Sequence, residues 1–351
     1  VPELARAIGP VLAPALNTIN AIVPSPTELL MLSILRHGPR HLMPHAALVT
    51  GVALCVARLT GLEPDLMRAL ARAALLHDIG QLYLDPRIFA EPRRCNAQDL
   101  QLVRQHSLLG ARVAQELVHS DAGVARMIQV SHERLDGSGY PAGLAGAALS
   151  GSEQVLLFAE AMAPDLEAGD HRLVRAAVAA RLVPGEFPKA MVSLFDREAQ
   201  ASPAPTQLGA PAQLAIIGDD LRQLHTLIAQ AVVLLRMTVC ETRTVREHAQ
   251  HWLPRLESFL LMLRSTGVEA ALAYGMQVEP QDAREQIELT VLRDELRQRL
   301  DDLRRVVEIE QSVTPELGAT SLVYDLIDVL RGDDGAGDGV GGIAQDSGFG
   351  A

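Results

Sequence analysis

Aromatic residues are scarce in this chain, 3% of 351 residues, and runs of β-branched residues are few. Strands draw on both types, so their shortage argues for an all-α protein built from the abundant Ala and Leu. Positive charge is also short. The net charge of -12 excludes a general nucleic-acid surface, while a small anionic ligand could still bind where metal ions set the local field. Only three cysteines are present, Cys55, Cys95 and Cys240, far apart and without a CxxC pair, and they read as reduced thiols of a cytoplasmic protein. No apolar run approaches the length of a membrane span. The greasiest stretch, from Thr226 to Leu235, ends at Arg236 and reads as a core helix.

What the chain does have is an apolar helical run, Ala73 to Leu76, that delivers His77 and Asp78 side by side and stops at Gly80. An imidazole nitrogen and a carboxylate oxygen are what a hard or borderline divalent metal takes as ligands. Leu66, Leu70, Ala73, Ala74 and His77 share one helical face, so the pair points inward, where a carboxylate without a partner is costly. Other polar residues fall on inner faces. His45 opens a helix that continues through Leu48, Val49, Val52, Val56 and Leu59 and ends at Gly61. His106 stands in the stripe Leu102, Val103, Leu109, Val113 and Leu117, in a helix expected to be capped by Asn96. His132 follows Ile128 by one turn in a helix placed at about 121–132. Glu160 is surrounded by apolar residues in a helix expected to start at Ser152. Each inward histidine could equally be a hydrogen-bonded core residue, and Glu160 must be neutral, paired or metal-bound. The case for a site is that all of them converge on His77 and Asp78.

The flanks carry less chemistry. Prolines keep the first helices short or start them after Pro26, with Thr27 as the expected cap. The expected layout is a helical extension over 1–36, a domain over 37–200, a linker over 201–212, a C-terminal helical region over 213–331 and a disordered tail over 332–351. In the C-terminal region long helices are expected at about 213–238, 242–263 and 280–311. Leu289, Leu292, Leu296, Leu300, Leu303 and Val307 step by three and four, close to a heptad seam. That seam fits a coiled-coil homodimer or a helix packed in its own bundle. His225, His248 and His251 read as surface or core residues.

One string is long and specific: His132-Glu-Arg-Leu-Asp136-Gly137-Ser-Gly139-Tyr140-Pro141. Together with His45, the Ala-Ala-Leu-Leu-His77-Asp78-Ile-Gly run and His106 with Gly110 one turn on, it resembles the HD-GYP domain, a subgroup of the HD phosphohydrolases. The resemblance implies an HD-type helical bundle holding two or three divalent ions, iron or manganese, with two expected here. It implies hydrolysis of cyclic di-GMP, a bacterial second messenger, by a metal-bound hydroxide. By position it makes His45, His77, Asp78, His106, His132 and Glu160 the metal ligands, with Asp78 bridging. Residues Asp136, Gly137, Gly139, Tyr140 and Pro141 would shape the substrate pocket or a signalling-partner surface, and Arg172 and Arg175 are the candidates for phosphate contact.

Three positions depart from the family pattern. Gln81 stands where the family has a lysine thought to help the phosphate or the leaving oxygen, so it joins His77 and Asp78 as a catalytic candidate without a charge. Ser131 stands for a histidine, and Glu160 for an aspartate. His41 occupies a position that is often acidic. Two main readings follow: a divergent metal-dependent phosphodiesterase, or a degenerate module that binds cyclic di-GMP or a partner protein without turnover. A third is an HD hydrolase acting on another nucleotide.

Overall fold

The computed structural model describes residues 13–15, 17–90, 97–167, 171–202, 211–237, 242–274, 278 and 280–332. Its elements are helices α1 (Pro26–His37), α2 (Leu42–Leu59), α3 (Pro64–Leu76), α4 (Pro86–Ala90), α5 (Ala97–Glu116), α6 (Ala122–Gln129), α7 (Gly151–Glu167), α8 (Arg172–Leu182), α9 (Lys189–Ala201), α10 (Pro211–Met237), α11 (Arg243–Ser265), α12 (Val268–Ala273), α13 (Ala283–Val313), α14 (Pro315–Gly318) and α15 (Ser321–Arg331). Two short 3-10 turns, Ile79–Tyr83 and Gly146–Ala148, lie between them. Among the described residues the one extended pairing is a bridge between Asp136 and Ala145.

Local chemistry explains the boundaries. Pro26 fits the first turn of α1, where its missing N–H costs nothing, so the cap is Ser25 and not Thr27. Its hydroxyl accepts from the Glu28 amide, and the Glu28 carboxylate accepts from the Ser25 amide. Likewise α7 begins after Ser150, whose amide donates to the Glu153 carboxylate at 2.6 Å, so the expected cap Ser152 falls inside the first turn. Asp121 caps α6, which ends at Gln129, short of His132. The Asn96 cap and the linker from residue 203, together with Cys95, Cys240 and the tail beyond 332, lie outside the described residues.

Helix α2 is the central staff, packed on α3 and α7. Leu42–Leu59 is long and apolar enough to cross a membrane by length and composition, contrary to the expectation that no run is, and over half of it is buried in the protein. The decisive contact is between the turn after α3 and helix α5. A Cβ on Gly80 would stand 1.9 Å from the His106 carbonyl oxygen and 2.7 Å from the Gly110 nitrogen. Only glycine permits that approach, and it brings His77 and Asp78 beside His106.

In the C-terminal half, α13 packs on α8, α10 and α15. Its seam residues Leu289, Leu292, Leu296, Leu300, Leu303 and Val307 are all buried. The seam is filled within the chain, which leaves it no free face for a coiled-coil homodimer. Ion pairs join the halves: Arg181 to Glu288 at 2.7 Å and Arg299 to Glu186 at 3.1 Å.

Candidate metal centre

The three innermost histidines come from three elements. His77 closes α3, His106 sits in α5, and His132 follows α6. Two are locked by their own backbone. His77 Nδ1 donates to the Ala74 carbonyl at 2.8 Å and His106 Nδ1 to the Val103 carbonyl at 2.5 Å. That fixes the ring orientation and turns each Nε2 inward, the nitrogen that would take a metal on losing its proton, as in metal-ligating histidines.

Asp78 lies between two clusters. Its Oδ2 is 3.4 Å from His77 Nε2 and 3.8 Å from His45 Nε2, while its Oδ1 is 3.1 Å from His106 Nε2 and 3.8 Å from His132 Nε2. Glu160 Oε2 closes the first cluster at 3.0 Å from both His45 Nε2 and His77 Nε2, and Oε1 reaches to 3.7 Å from His132 Nδ1. In the second, His106 Nε2 and His132 Nε2 are 2.9 Å apart. Ligand atoms about 2.1 Å from one ion and at right angles to each other stand about 3 Å apart, which is the spacing of the closest pairs here.

Two further observations fit a cation. His77 Nε2 and Asp78 Oδ1 are wholly buried, and neither makes a hydrogen bond of acceptable geometry despite the short distances; such orphans call for an explanation. The charges also need a counter-ion. Burial works against a proton on His45, and the Glu160 carboxylate overrides it, lifting the ring to about 9. Burial opposes a charge on His77 as well, and Asp78 and Glu160 carry it well above its ordinary value. Asp78 and Glu160, which burial would raise, are held well below the carboxylate range, each first by His77. His132 is pushed down, chiefly by burial. The two carboxylates, Asp78 buried and Glu160 partly so, are thus balanced by protonated imidazoles, and divalent ions would take over that role by displacing the protons.

The loop after His132 is organised from inside. Glu133 is fully buried, and its carboxylate accepts from the amides of Ala142 at 2.8 Å and Leu144 at 2.9 Å. Gly139 crosses the Glu133 backbone so closely that a Cβ would lie 2.5 Å from it. The result seats Tyr140 flat against His132, with ring centroids 4.8 Å apart and planes 7° off parallel. Burial pushes the phenol up, so it stays protonated. Beyond His132, Tyr140 and Glu160 opens a cavity of about 910 Å³, whose far wall is made by α11 and α13.

Comparison with known proteins bears on this geometry. The HD domain family profile matches residues 30–166. The chain is 30% identical over 132 residues to a 3'3'-cGAMP-specific phosphodiesterase of Vibrio cholerae, covering 38% of this chain and 30% of that one. It is 32% identical over 139 residues to a cyclic di-GMP phosphodiesterase of Pseudomonas aeruginosa, covering 40% of this chain and 32% of that one. Residues 30–166 thus carry an HD domain, in the stretch where the chain is similar to these two phosphodiesterases. The matched part spans about a third of those two relatives. A solved HDG"Y"P protein of Bdellovibrio bacteriovorus superposes with a TM-score of 0.38 at 22% identity, covering 48% of this chain and 56% of that one.

Within the matched HD domain, the six expected ligands His45, His77, Asp78, His106, His132 and Glu160 lie together. Asp136, Gly137, Gly139 and Tyr140 line the cavity. Pro141 follows Tyr140 through a cis peptide and stands outside the lining. Gln81 belongs to neither cluster: its Oε1 is 3.5 Å from His41 Nε2, and His41 is exposed. Ser131 is buried and turns its hydroxyl back to the Ile128 carbonyl, so it supplies nothing in place of a histidine. Arg172, expected as a phosphate contact, donates instead to the Leu166 carbonyl and is not in the lining, whereas Arg175 is. The reason is its place in the first turn of α8, which turns it back towards the end of α7. The sequence reading missed Glu133, whose signal was an acid next to an inward-facing histidine. It also missed the contribution of α11 and α13, which had no motif to mark it. The GYP-type loop, expected to shape the substrate pocket or a partner surface, lines the cavity and meets α11, where Arg255 Nη2 is 3.5 Å from the Ser138 carbonyl.

Proposed function

We propose that this chain is a metal-dependent phosphodiesterase that hydrolyses a cyclic dinucleotide, cyclic di-GMP in the first instance, with two iron or manganese ions. The observation that carries the reading is Asp78, buried with an orphaned oxygen and shared between a His45–His77–Glu160 group and a His106–His132 group. His45, His77, Glu160 and Asp78 would hold one ion, and Asp78, His106 and His132 the other. A pair of bound ions supplies a nucleophile at neutral pH and a clamp on the phosphate.

The chain's own residues do the rest. The Ala74 and Val103 carbonyls hold the imidazoles in one tautomer and orientation. Tyr140 fixes the His132 ring by stacking and closes the site on one side. The cavity beyond admits the nucleotide and is within the usual size of ligand pockets, about 300–1,000 Å³. The names of the curated relatives support the substrate class.

A specific observation favours the second reading, a module that binds without turnover. Where the family has a lysine, Gln81 offers no charge and leans to His41, and Ser131 offers no ligand. Developing negative charge is then less stabilised, a loss of about 3 kcal/mol or a hundredfold in rate at comparable sites. Turnover of cyclic di-GMP by protein loaded anaerobically with iron or with manganese, with metal content read on the same samples, separates the two. Metal-dependent product supports the enzyme, and Gln81→Lys should then speed it about tenfold or more. Bound metal and bound nucleotide without product would leave only the binding module. Protein that retains no metal would sink the enzyme and leave only a module that binds a partner protein.

A further inference from the structure

Among the described residues, three of the five arginines that line the cavity are engaged by carboxylates. Arg134 and Arg299 meet Glu186, and Arg175 meets Asp165 at 3.6 Å. Arg104 and Arg255 are different. Arg104 projects from α5, two residues before His106, and Arg255 from α11, and both line the cavity. Among the described residues neither guanidinium has a carboxylate within 4.0 Å, and the one hydrogen bond from the Arg255 side chain is the long one to the Ser138 carbonyl. The acids nearby do not neutralise them. Glu310 and Asp136 only partly offset the Arg255 charge, Glu310 being engaged by the Trp252 indole and Asp136 by the Ser138 amide and hydroxyl, and the Asp302 carboxyl is pushed up by burial. The two cations feel each other: burial first and the Arg104 charge second push the Arg255 guanidinium down. Partly buried like charges facing one cavity are unfavourable until an anion enters between them.

A cyclic dinucleotide carries two phosphodiesters. One must lie on the Asp78 centre to be cleaved, and the other lies across the ring and needs a separate holder. We propose that Arg104 and Arg255 together bind the phosphate that is not cleaved, so that the C-terminal helical region completes the substrate site of the HD domain. The inference rests on the cyclic-dinucleotide reading above. It makes Arg255, from a region outside the matched stretch, a determinant of selectivity for two-phosphate over one-phosphate substrates.

The test uses the full metal-loaded chain. Binding of cyclic di-GMP and of bis(p-nitrophenyl) phosphate, which has a single phosphate, is measured by calorimetry, with KM where turnover occurs. Arg104→Gln and Arg255→Gln should each weaken cyclic di-GMP about ten- to hundredfold and leave the one-phosphate compound within about twofold. Arg255→Lys, which keeps the charge, should recover much of the loss. Metal content and melting temperature identify variants that have not folded, and Arg255→Lys then carries the comparison. Equal losses for both compounds would assign the arginines to the fold or the metal centre and overturn the inference. So would wild-type binding that the variants retain in full. If the wild type binds no cyclic di-GMP, the proposed substrate falls and the inference falls with it.

Discussion

His106 and His248 are held by the same local device in the two halves of the molecule. Each lies inside a long helix and gives its Nδ1 to a carbonyl one turn back, Val103 at 2.5 Å and Thr244 at 2.9 Å. The other nitrogen tells them apart. His106 Nε2 meets Asp78 Oδ1 at 3.1 Å and His132 Nε2 at 2.9 Å. His248 Nε2 has Glu310 Oε2 at 4.0 Å, and that oxygen already accepts from the Trp252 indole at 2.8 Å. An oriented imidazole is therefore ordinary helix chemistry. A metal centre needs several of them, from different elements, aimed at one carboxylate.

The sharpest way to break this comparison is to remove the carboxylate on each side. Asp78→Ala takes a ligand from both clusters, so bound metal should fall below about a tenth of the wild type and hydrolysis below about 1%. Glu310→Ala should leave metal content unchanged and cost stability instead, about 1–3 kcal/mol for the stranded indole N–H. Metal analysis and denaturant unfolding on the same samples read both. Metal retained by Asp78→Ala would dissolve the distinction between the halves.

Next in size is the contact that assembles the cluster. Gly80→Ala puts a methyl group where the His106 carbonyl already stands. Backbone must move, and a loss of about 3 kcal/mol or more is expected, with weaker metal binding as His77 and His106 separate. Gly51→Ala in α2, where an added Cβ meets nothing within 4 Å, is the matched control and should be neutral or mildly stabilising.

How far the site was legible follows from the same contrast. Helical periodicity put His45, His106 and Glu160 on inward faces, and the His132-to-Pro141 string named the loop, because both are local patterns. Caps were misread by two residues, Thr27 for Ser25 and Ser152 for Ser150, since several neighbouring polar residues could each do the job. Arg172 and Arg255 show the harder limit. Which arginine enters the cavity depends on helix rotation in α8 and on α11 packing beside the loop from more than a hundred residues away, and no local spacing records that. The seam of α13 has the same cause: its period specifies an apolar face, and only packing against α8, α10 and α15 says that its own chain fills it.

A smaller effect sharpens the contrast at His132, where an aromatic ring supports the imidazole and no backbone carbonyl is needed. Tyr140→Phe keeps the stacked ring and should leave metal affinity near the wild type. Tyr140→Ala removes it and should weaken metal binding about tenfold, the low end for loss of a group that orients a ligand. Competition with a chelator of known affinity measures both, and equal losses would mean that the hydroxyl, not the ring, does the work.

The gentlest probe is pH, and it acts on the metal-free protein. His45 holds its proton up to about 9 in the folded state, against 6.5 for the free ring. A folded-state value above the unfolded one stabilises the fold through the bound proton, so this contribution is complete below about pH 6.5 and is lost as pH rises through about 9. The melting temperature of metal-free protein should therefore decline across that window. Glu160→Gln removes the carboxylate that lifts His45 and should flatten the decline. In the loaded protein the ions take the place of the protons, so the same window should show no such decline, and metal affinity should instead rise with pH because binding releases protons. A flat melting curve in the metal-free wild type would mean that His45 is already neutral at pH 7. The two carboxylates would then lack the counter-charge that argues for metal ions at Asp78.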